Sequence, residues 1–134
     1  MFTATTRGIR VTVRPQYVPD QSDPTKPQFV WAYHVRIENA GDATVQLRSR
    51  HWKVTDGLGR QREVKGPGVV GKTPVLRPGE MFEYTSATPL STPTGFMGGT
   101  YQMVNEAGEN FDIEIPTFSL DSPSTDRRIA SACR

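Results

Sequence analysis

Gly66, Gly68 and Gly71 stand at G-x-G-x-x-G spacing inside the stretch Val64–Gly71, with Arg60, Arg62, Lys65 and Lys72 around them. In a nucleotide-binding fold such glycines let the backbone approach a pyrophosphate, and the N-terminus of a following helix holds its charge. Here the backbone N–H groups from Gly68 to Gly71 could form a concave nest for phosphate or a nucleotide, with Arg62, Lys65 and Lys72 as nearby cations. The residues that follow, Lys72 to Gly79, include Pro74 and Pro78, and two prolines in so short a run exclude a crossover helix. The spacing therefore predicts a loop between strands. A second reading stays open, in which the glycines permit a tight loop and Val69 and Val70 plug the edge of the core.

Other chemistries find few residues to carry them. The only histidines are His34 and His51, and the single cysteine is Cys133. None of these has the i, i+4 or C-x-x-C spacing of a transition-metal site, so no metal ligand is assigned. Glu106, Glu109, Asp112 and Glu114 cluster in one segment without the twelve-residue loop of a calcium site, which predicts a solvated acidic hairpin. There is no G-x-S-x-G elbow. Ser49 and Ser86 have only the two histidines as prospective bases, so no catalytic residue is named and the protein is expected not to be an enzyme. No cofactor is implied.

The elements that must position these residues are strands. Ile9 to Pro15 alternates apolar and polar residues. Val18 to Gln28, with three prolines, reads as a surface loop. Phe29, Trp31, Tyr33, Val35 and Ile37 mark the longest period-2 run and predict a central strand. Asn39 to Asp42 is a turn. Val45 and Leu47 are then expected to point inward with Gln46, Arg48 and Arg50 outward, while Trp52 and Val54 have the opposite parity, so a β-bulge between Arg48 and His51 is expected. Asp56 to Gly59 is a hairpin turn, and a short strand from Arg60 to Val64 leads into the glycines. Met81 to Ser86 is another strand, Thr88 to Gly95 a long connection, and Gly99 to Val104 with Asn110 to Ile115 a final hairpin. Pro116 to Leu120 finishes the edge. No window is helical over three turns. The result is an all-β fold, an antiparallel β-sandwich of seven to eight strands, immunoglobulin-like or fibronectin type III-like. Residues 1–120 form a single domain and 121–134 a mobile C-terminal tail.

At 134 residues the chain can bury one core without disulfide or metal staples. A net charge of +2 is too small to argue for nucleic acid. The distribution is uneven. Between residues 48 and 77, Arg48, Arg50, Lys53, Arg60, Arg62, Lys65, Lys72 and Arg77 face only Asp56 and Glu63, whereas residues 78–120 carry six acidic residues and no Lys or Arg. Cross-strand pairing between the two segments is expected. The lone cysteine, the absence of a signal-like apolar run and the absence of any apolar stretch of spanning length predict a cytoplasmic protein with no membrane insertion.

Several spaced motifs add a resemblance: Arg50 to Trp52, Gly66 to Gly71, Pro78 to Glu80, Tyr84 to Ser86, Gly95 to Met97, Gly99 to Tyr101 and Ile115 to Phe118. Together, from about Ile9 to Leu120, they resemble the ApaG family. The resemblance implies a fibronectin type III-like domain in a small bacterial cytosolic protein, linked by name to cobalt resistance and magnesium efflux and without an established catalytic activity. Related domains in larger eukaryotic proteins look like protein-interaction modules. Pro67 stands where an acidic residue is usual in the family, and it removes an N–H that a phosphate cradle would use. The function expected is thus a non-enzymatic interaction module with an unidentified protein partner, using an apolar patch in Thr88 to Met97 that includes Leu90 and Phe96. Strand edges could also pair two copies into a homodimer. Phosphate or nucleotide binding at Gly66–Gly71 is the alternative.

Overall fold

The computed structural model describes residues 1–23 and 25–122. Nine strands run through them: β1 (Phe2–Thr6), β2 (Ile9–Tyr17), β3 (Phe29–Asn39), β4 (Val45–Asp56), β5 (Gln61–Pro67), β6 (Val75–Leu76), β7 (Met81–Leu90), β8 (Thr94–Asn105) and β9 (Asn110–Asp121). One sheet runs β1-β2-β3-β7. The other runs β5-β4-β8-β9, with β6 also on β4. Every pairing is antiparallel. This is the expected β-sandwich.

Period-2 patterning places the core between the sheets. Val11, Val13, Trp31, Val35 and Ile37 of the first sheet meet Leu47, Trp52, Tyr101, Met103, Ile113 and Phe118 of the second, all but fully buried. Removing a side chain of this kind from water contributes about 1.5–3 kcal/mol. Two strands keep their apolar residues inward only by changing parity. In β4, Leu47 lies opposite Met103 and Ser49 opposite Gln102, so Arg48 is the extra residue of a bulge. That is the first position of the expected window. In β9, Ile115 lies opposite Gly99 and Phe118 opposite Met97, so two residues, Pro116 and Thr117, oppose Gly98 alone. Ile113 and Ile115 are buried before the bulge, Phe118 and Leu120 after it.

Polar staples close the sandwich at its two ends. Asn39 is buried, and its Nδ2 donates to the carbonyls of Ala43 (2.8 Å) and Leu76 (2.9 Å) while its Oδ1 accepts the Gly41 N–H (3.0 Å). Because Leu76 pairs with β4, this one amide ties the first sheet to the second. At the far end, Trp31 Nε1 donates to the Asp121 carbonyl (3.1 Å).

Several expectations are corrected. Neither β1 nor β6 is read from the sequence. The described residues of Val18–Gln28 keep to the expected surface loop, which includes a 3-10 turn at Pro19–Gln21. Strand β7 continues through Pro89 to Leu90, and the expected long connection shrinks to residues 91–93. Proline is tolerated there because β7 is an edge strand, which does not need every N–H for its ladder. Leu90 and Met97 are consequently core residues, and Phe96 is the exposed aromatic of that stretch. Among the described residues no ion pair joins the basic segment 48–77 to the acidic segment 78–120, although β4 and β8 are neighbours. Among the described residues, Arg36 and His34 hold Glu83, Arg7 holds Glu109, and Arg60 pairs with Asp56 inside its own turn. Of the expected tail, Asp121 closes β9 and Ser122 is buried; residues 123–134, including Cys133, lie outside the described residues.

Replacing Asn39 by alanine leaves two carbonyls and an N–H without their partner, and should cost on the order of 3 kcal/mol in urea unfolding. The exposed Asp42→Ala, three residues away, should stay within about 0.5 kcal/mol of the parent.

Candidate functional site

The three glycines serve three separate purposes. Gly66 belongs to β5 and lies opposite Arg50. A Cβ built on it would sit 3.0–3.2 Å from the Arg50 guanidinium, so the missing side chain is the space that guanidinium uses. Arg50 Nη1 donates to the carbonyls of Pro67 (3.1 Å) and Gly68 (2.9 Å). Gly68 has φ +63 and passes so near Lys72 that a Cβ would stand 2.4 Å from its carbonyl oxygen. Val70 (φ +44) and Gly71 (φ +78) form the corner of a tight turn in which Val69 and Lys72 exchange N–H···O bonds of 2.8 and 2.9 Å. Two positive φ values at the centre are the type I′ pattern. The Gly68 N–H donates to the Arg48 carbonyl (2.9 Å), so the N–H groups of Gly68, Val69 and Lys72 are all used within the chain. Past Lys72 the backbone is extended into β6, and Val69 is fully buried while Val70 is exposed.

Cross-strand partners share a face. Arg62 opposite Val54, and Gly66 opposite Arg50, therefore look towards the other sheet, whereas Lys65 opposite His51 looks outward. The six residues of the expected phosphate loop are not gathered around one point: Arg62 and Gly66 share a face, Lys65 takes the other, and Gly68, Gly71 and Lys72 form the turn.

What Arg62 and Arg50 do share is a cleft. Strands β5 and β7 are the edges of their two sheets on the same side of the sandwich, and between them lies a space of about 280 Å³. Arg50, Trp52, Val54, Arg62 and Val64 line it from one sheet, and Tyr33, Ser86, Thr88 and Pro89 from the other. Arg62 spans the cleft, with Nη2 donating to Thr88 Oγ1 (3.0 Å) and the Pro89 carbonyl (2.9 Å). Neither guanidinium has a carboxylate within ion-pair distance among the described residues. Trp52 is 2% exposed, and its Nε1 is the one buried side-chain nitrogen or oxygen among them with no hydrogen-bond partner. Such an orphan costs about 1–3 kcal/mol. The indole ring packs on Tyr33 (5.3 Å between centroids) and edge-on to Tyr101 and Phe118. Behind it the hydroxyls of Tyr84 and Tyr101 hydrogen-bond to each other. Burial pushes both phenols well above their ordinary range, against the opposing pull of the Arg50 charge, so they stay neutral.

The remaining candidates sit elsewhere. His34 is on the outer face of the first sheet, bonded to Thr85 (2.9 Å) and near Glu83 (3.6 Å), and His51 is on the outer face of the second, 3.2 Å from Glu63. Ser49 donates to Gln102, and Ser86 lines the cleft with no histidine or carboxylate beside it. Glu109 holds Arg7, whose hydrogen bond and charge keep its carboxyl below the usual range, and Glu106 accepts the Thr44 N–H. Among the described residues no three His, Cys, Asp or Glu side chains converge. Arg50, expected to face outward with Arg48, faces the cleft instead, because the bulge falls at Arg48 and gives Arg50 the parity of Trp52.

Val70 is β-branched and held at positive φ, a conformation costing about 1–2 kcal/mol that asparagine tolerates. Val70→Asn should therefore raise stability by about 1 kcal/mol in thermal unfolding, since the valine side chain is exposed and loses little packing. Unchanged or reduced stability would show that the turn carries no such strain.

The chain has close relatives of known name. An ApaG domain model matches residues 19–105. The ApaG protein of Rhodospirillum centenum is 67% identical over 123 residues, covering 92% of this chain and 95% of the relative. That of Paramagnetospirillum magneticum is 61% identical over 129 residues, 96% and 99% of the two chains. Among solved structures, an ApaA protein from Bordetella pertussis superposes with a TM-score of 0.84 at 54% identity, covering 86% of this chain and 94% of that one. By sequence and by fold alike, this chain belongs to the ApaG family.

Proposed function

We propose that this ApaG-family chain is a non-enzymatic protein-interaction module whose contact surface is the open edge of β5 with the outer face of the β4–β5 hairpin. The supporting observation is the edge itself. All seven residues from Gln61 to Pro67 are exposed or half-buried, β5 pairs on one side only, and Arg48, Lys53, Arg62 and Lys65 surround it. An unpaired strand edge offers a row of N–H and C=O groups to an added strand. The uncompensated positive charge chooses the sign of what is added, so the partner is an acidic segment that binds extended. A second copy of this chain would bring like charge to the same edge, which disfavours a homodimer there.

The name-based link to cobalt resistance and magnesium efflux is then indirect, acting through the partner in the cytoplasm. Both histidines are already engaged with glutamates on opposite outer faces, which is poor preparation for holding a cation. The phosphate reading of Gly66–Gly71 is disfavoured because the Gly68 and Val69 N–H groups are already bonded within the chain.

Lys53→Glu with Lys65→Glu reverses charge on the exposed outer face without touching the core. A partner cross-linked through a photoreactive residue at Gln61 should be contacted through an acidic stretch. The double variant should bind that partner at least tenfold more weakly, about 1.4 kcal/mol, with an unchanged circular dichroism spectrum. Raising the salt concentration should weaken the parent complex in the same direction. Binding indifferent to both changes would refute this surface.

A further inference from the structure

The cleft between β5 and β7 is a different surface, on the inner side of the hairpin, and it has its own chemistry. We infer that it binds a small organic anion, an apolar body carrying one carboxylate or phosphate group. The oxyanion lies against Arg50 and Arg62, and the apolar body packs on the cleft wall that includes Trp52.

Among the described residues the arginines are placed but not neutralised. Arg50 is fixed through Nη1 by the carbonyls of Pro67 and Gly68, and Arg62 through Nη2 by Thr88 and Pro89. Carbonyls and hydroxyls orient a guanidinium while leaving its full charge and most of its five N–H donors for an oxyanion. The place of Arg50 is protected by Gly66, where any side chain would meet the guanidinium at about 3 Å. Trp52 forms part of the cleft lining, and among the described residues its buried Nε1 has no acceptor from the protein. Around these groups the lining is apolar, including Tyr33, Val54, Val64 and Met97, which suits a hydrocarbon or aromatic body better than inorganic phosphate. At about 280 Å³ the space falls just under the roughly 300–1,000 Å³ of drug-sized ligand sites, so the ligand is small. Two unpaired cations at the rim exclude a cationic ligand and leave a neutral one without its main attraction.

The two indole N–H resonances of the ¹⁵N-labelled protein, assigned with Trp52→Phe, report this directly. Benzoate and phenyl phosphate should each move the Trp52 signal saturably in the millimolar range, with Trp31 still because it is bonded to Asp121; whichever is tighter tells carboxylate from phosphate. Benzamide and inorganic phosphate should bind at least fivefold more weakly. Arg62→Gln, an exposed edge substitution, should weaken both organic anions at least fivefold, and Lys72→Gln, outside the cleft, should leave them unchanged. Arg50→Lys, which keeps the charge but not the fork, should weaken them too. The inference is overturned if neither anion moves Trp52, if benzamide or inorganic phosphate does equally well, or if Lys72→Gln weakens binding and Arg62→Gln does not. It is also overturned if an acidic peptide occupies the cleft and neither small anion does.

Discussion

One extra residue in each of two strands determines what this sandwich can be. Side chains in a strand alternate between faces, so an apolar set that begins on odd positions and continues on even ones cannot be buried by a regular ladder. Strand β4 passes from Val45 and Leu47 to Trp52 and Val54 through the bulge at Arg48, and β9 passes from Ile113 and Ile115 to Phe118 and Leu120 through Pro116 and Thr117. Only after both changes do Trp52 and Phe118 meet, edge-on at 6.1 Å, with Tyr33 and Tyr101 against them. Gly98 faces the β9 bulge, where a Cβ would lie 2.8 Å from Thr117 Oγ1. The aromatic centre, the inward aim of Arg50 and hence the cleft all follow from these two irregularities.

The same logic shows what was legible in the chain and what was not. The β4 bulge could be read because Leu47 and Trp52 are strong, unambiguous core residues of opposite parity. The β9 bulge offered equal evidence in Ile115 and Phe118, but Pro116 looked like the end of a strand. It is instead the residue with no N–H to waste where the ladder is broken. Strand β7 was shortened for the same reason at Pro89. Strand β1 is five residues of Phe, Thr and Ala whose half-buried pattern carries almost no hydrophobic signal, and its pairing with β2 is what makes it a strand. Ion pairs were the least accessible feature. Glu83 finds Arg36 because β3 and β7 are neighbours in the first sheet, whereas the basic hairpin belongs to the second. The guanidinium hydrogen bond holds the Glu83 carboxyl below its ordinary range despite some burial, with His34 adding to it. No local pattern announces that topology.

The glycine spacing is a case of convergence by accident of geometry. In a nucleotide-binding loop the three glycines act together, on one ligand, ahead of one helix. Here one makes room for a side chain of the neighbouring strand, one allows a close backbone crossing, and one sits at the corner of a type I′ turn. A spacing of five residues is short enough that a strand end followed by a tight turn reproduces it. The discriminating information lay downstream, in Pro74 and Pro78, which forbid the helix that would give the spacing its usual meaning.

The open edge of β5 connects stability to function. An exposed seven-residue edge invites uncontrolled pairing, and proteins suppress it with charge and proline. This edge has Arg62, Glu63 and Lys65 within it and Pro67 at its end. Glu63 is drawn to His51 and the cations are left without carboxylates, so the protection is net positive, not balanced. Balanced charges would have blocked association just as well. A net positive edge repels a second copy of itself, at a strand whose inner face supplies Arg62 to the cleft. On the proposed reading, protection against aggregation and selection of a partner would be the same electrostatic property of the hairpin.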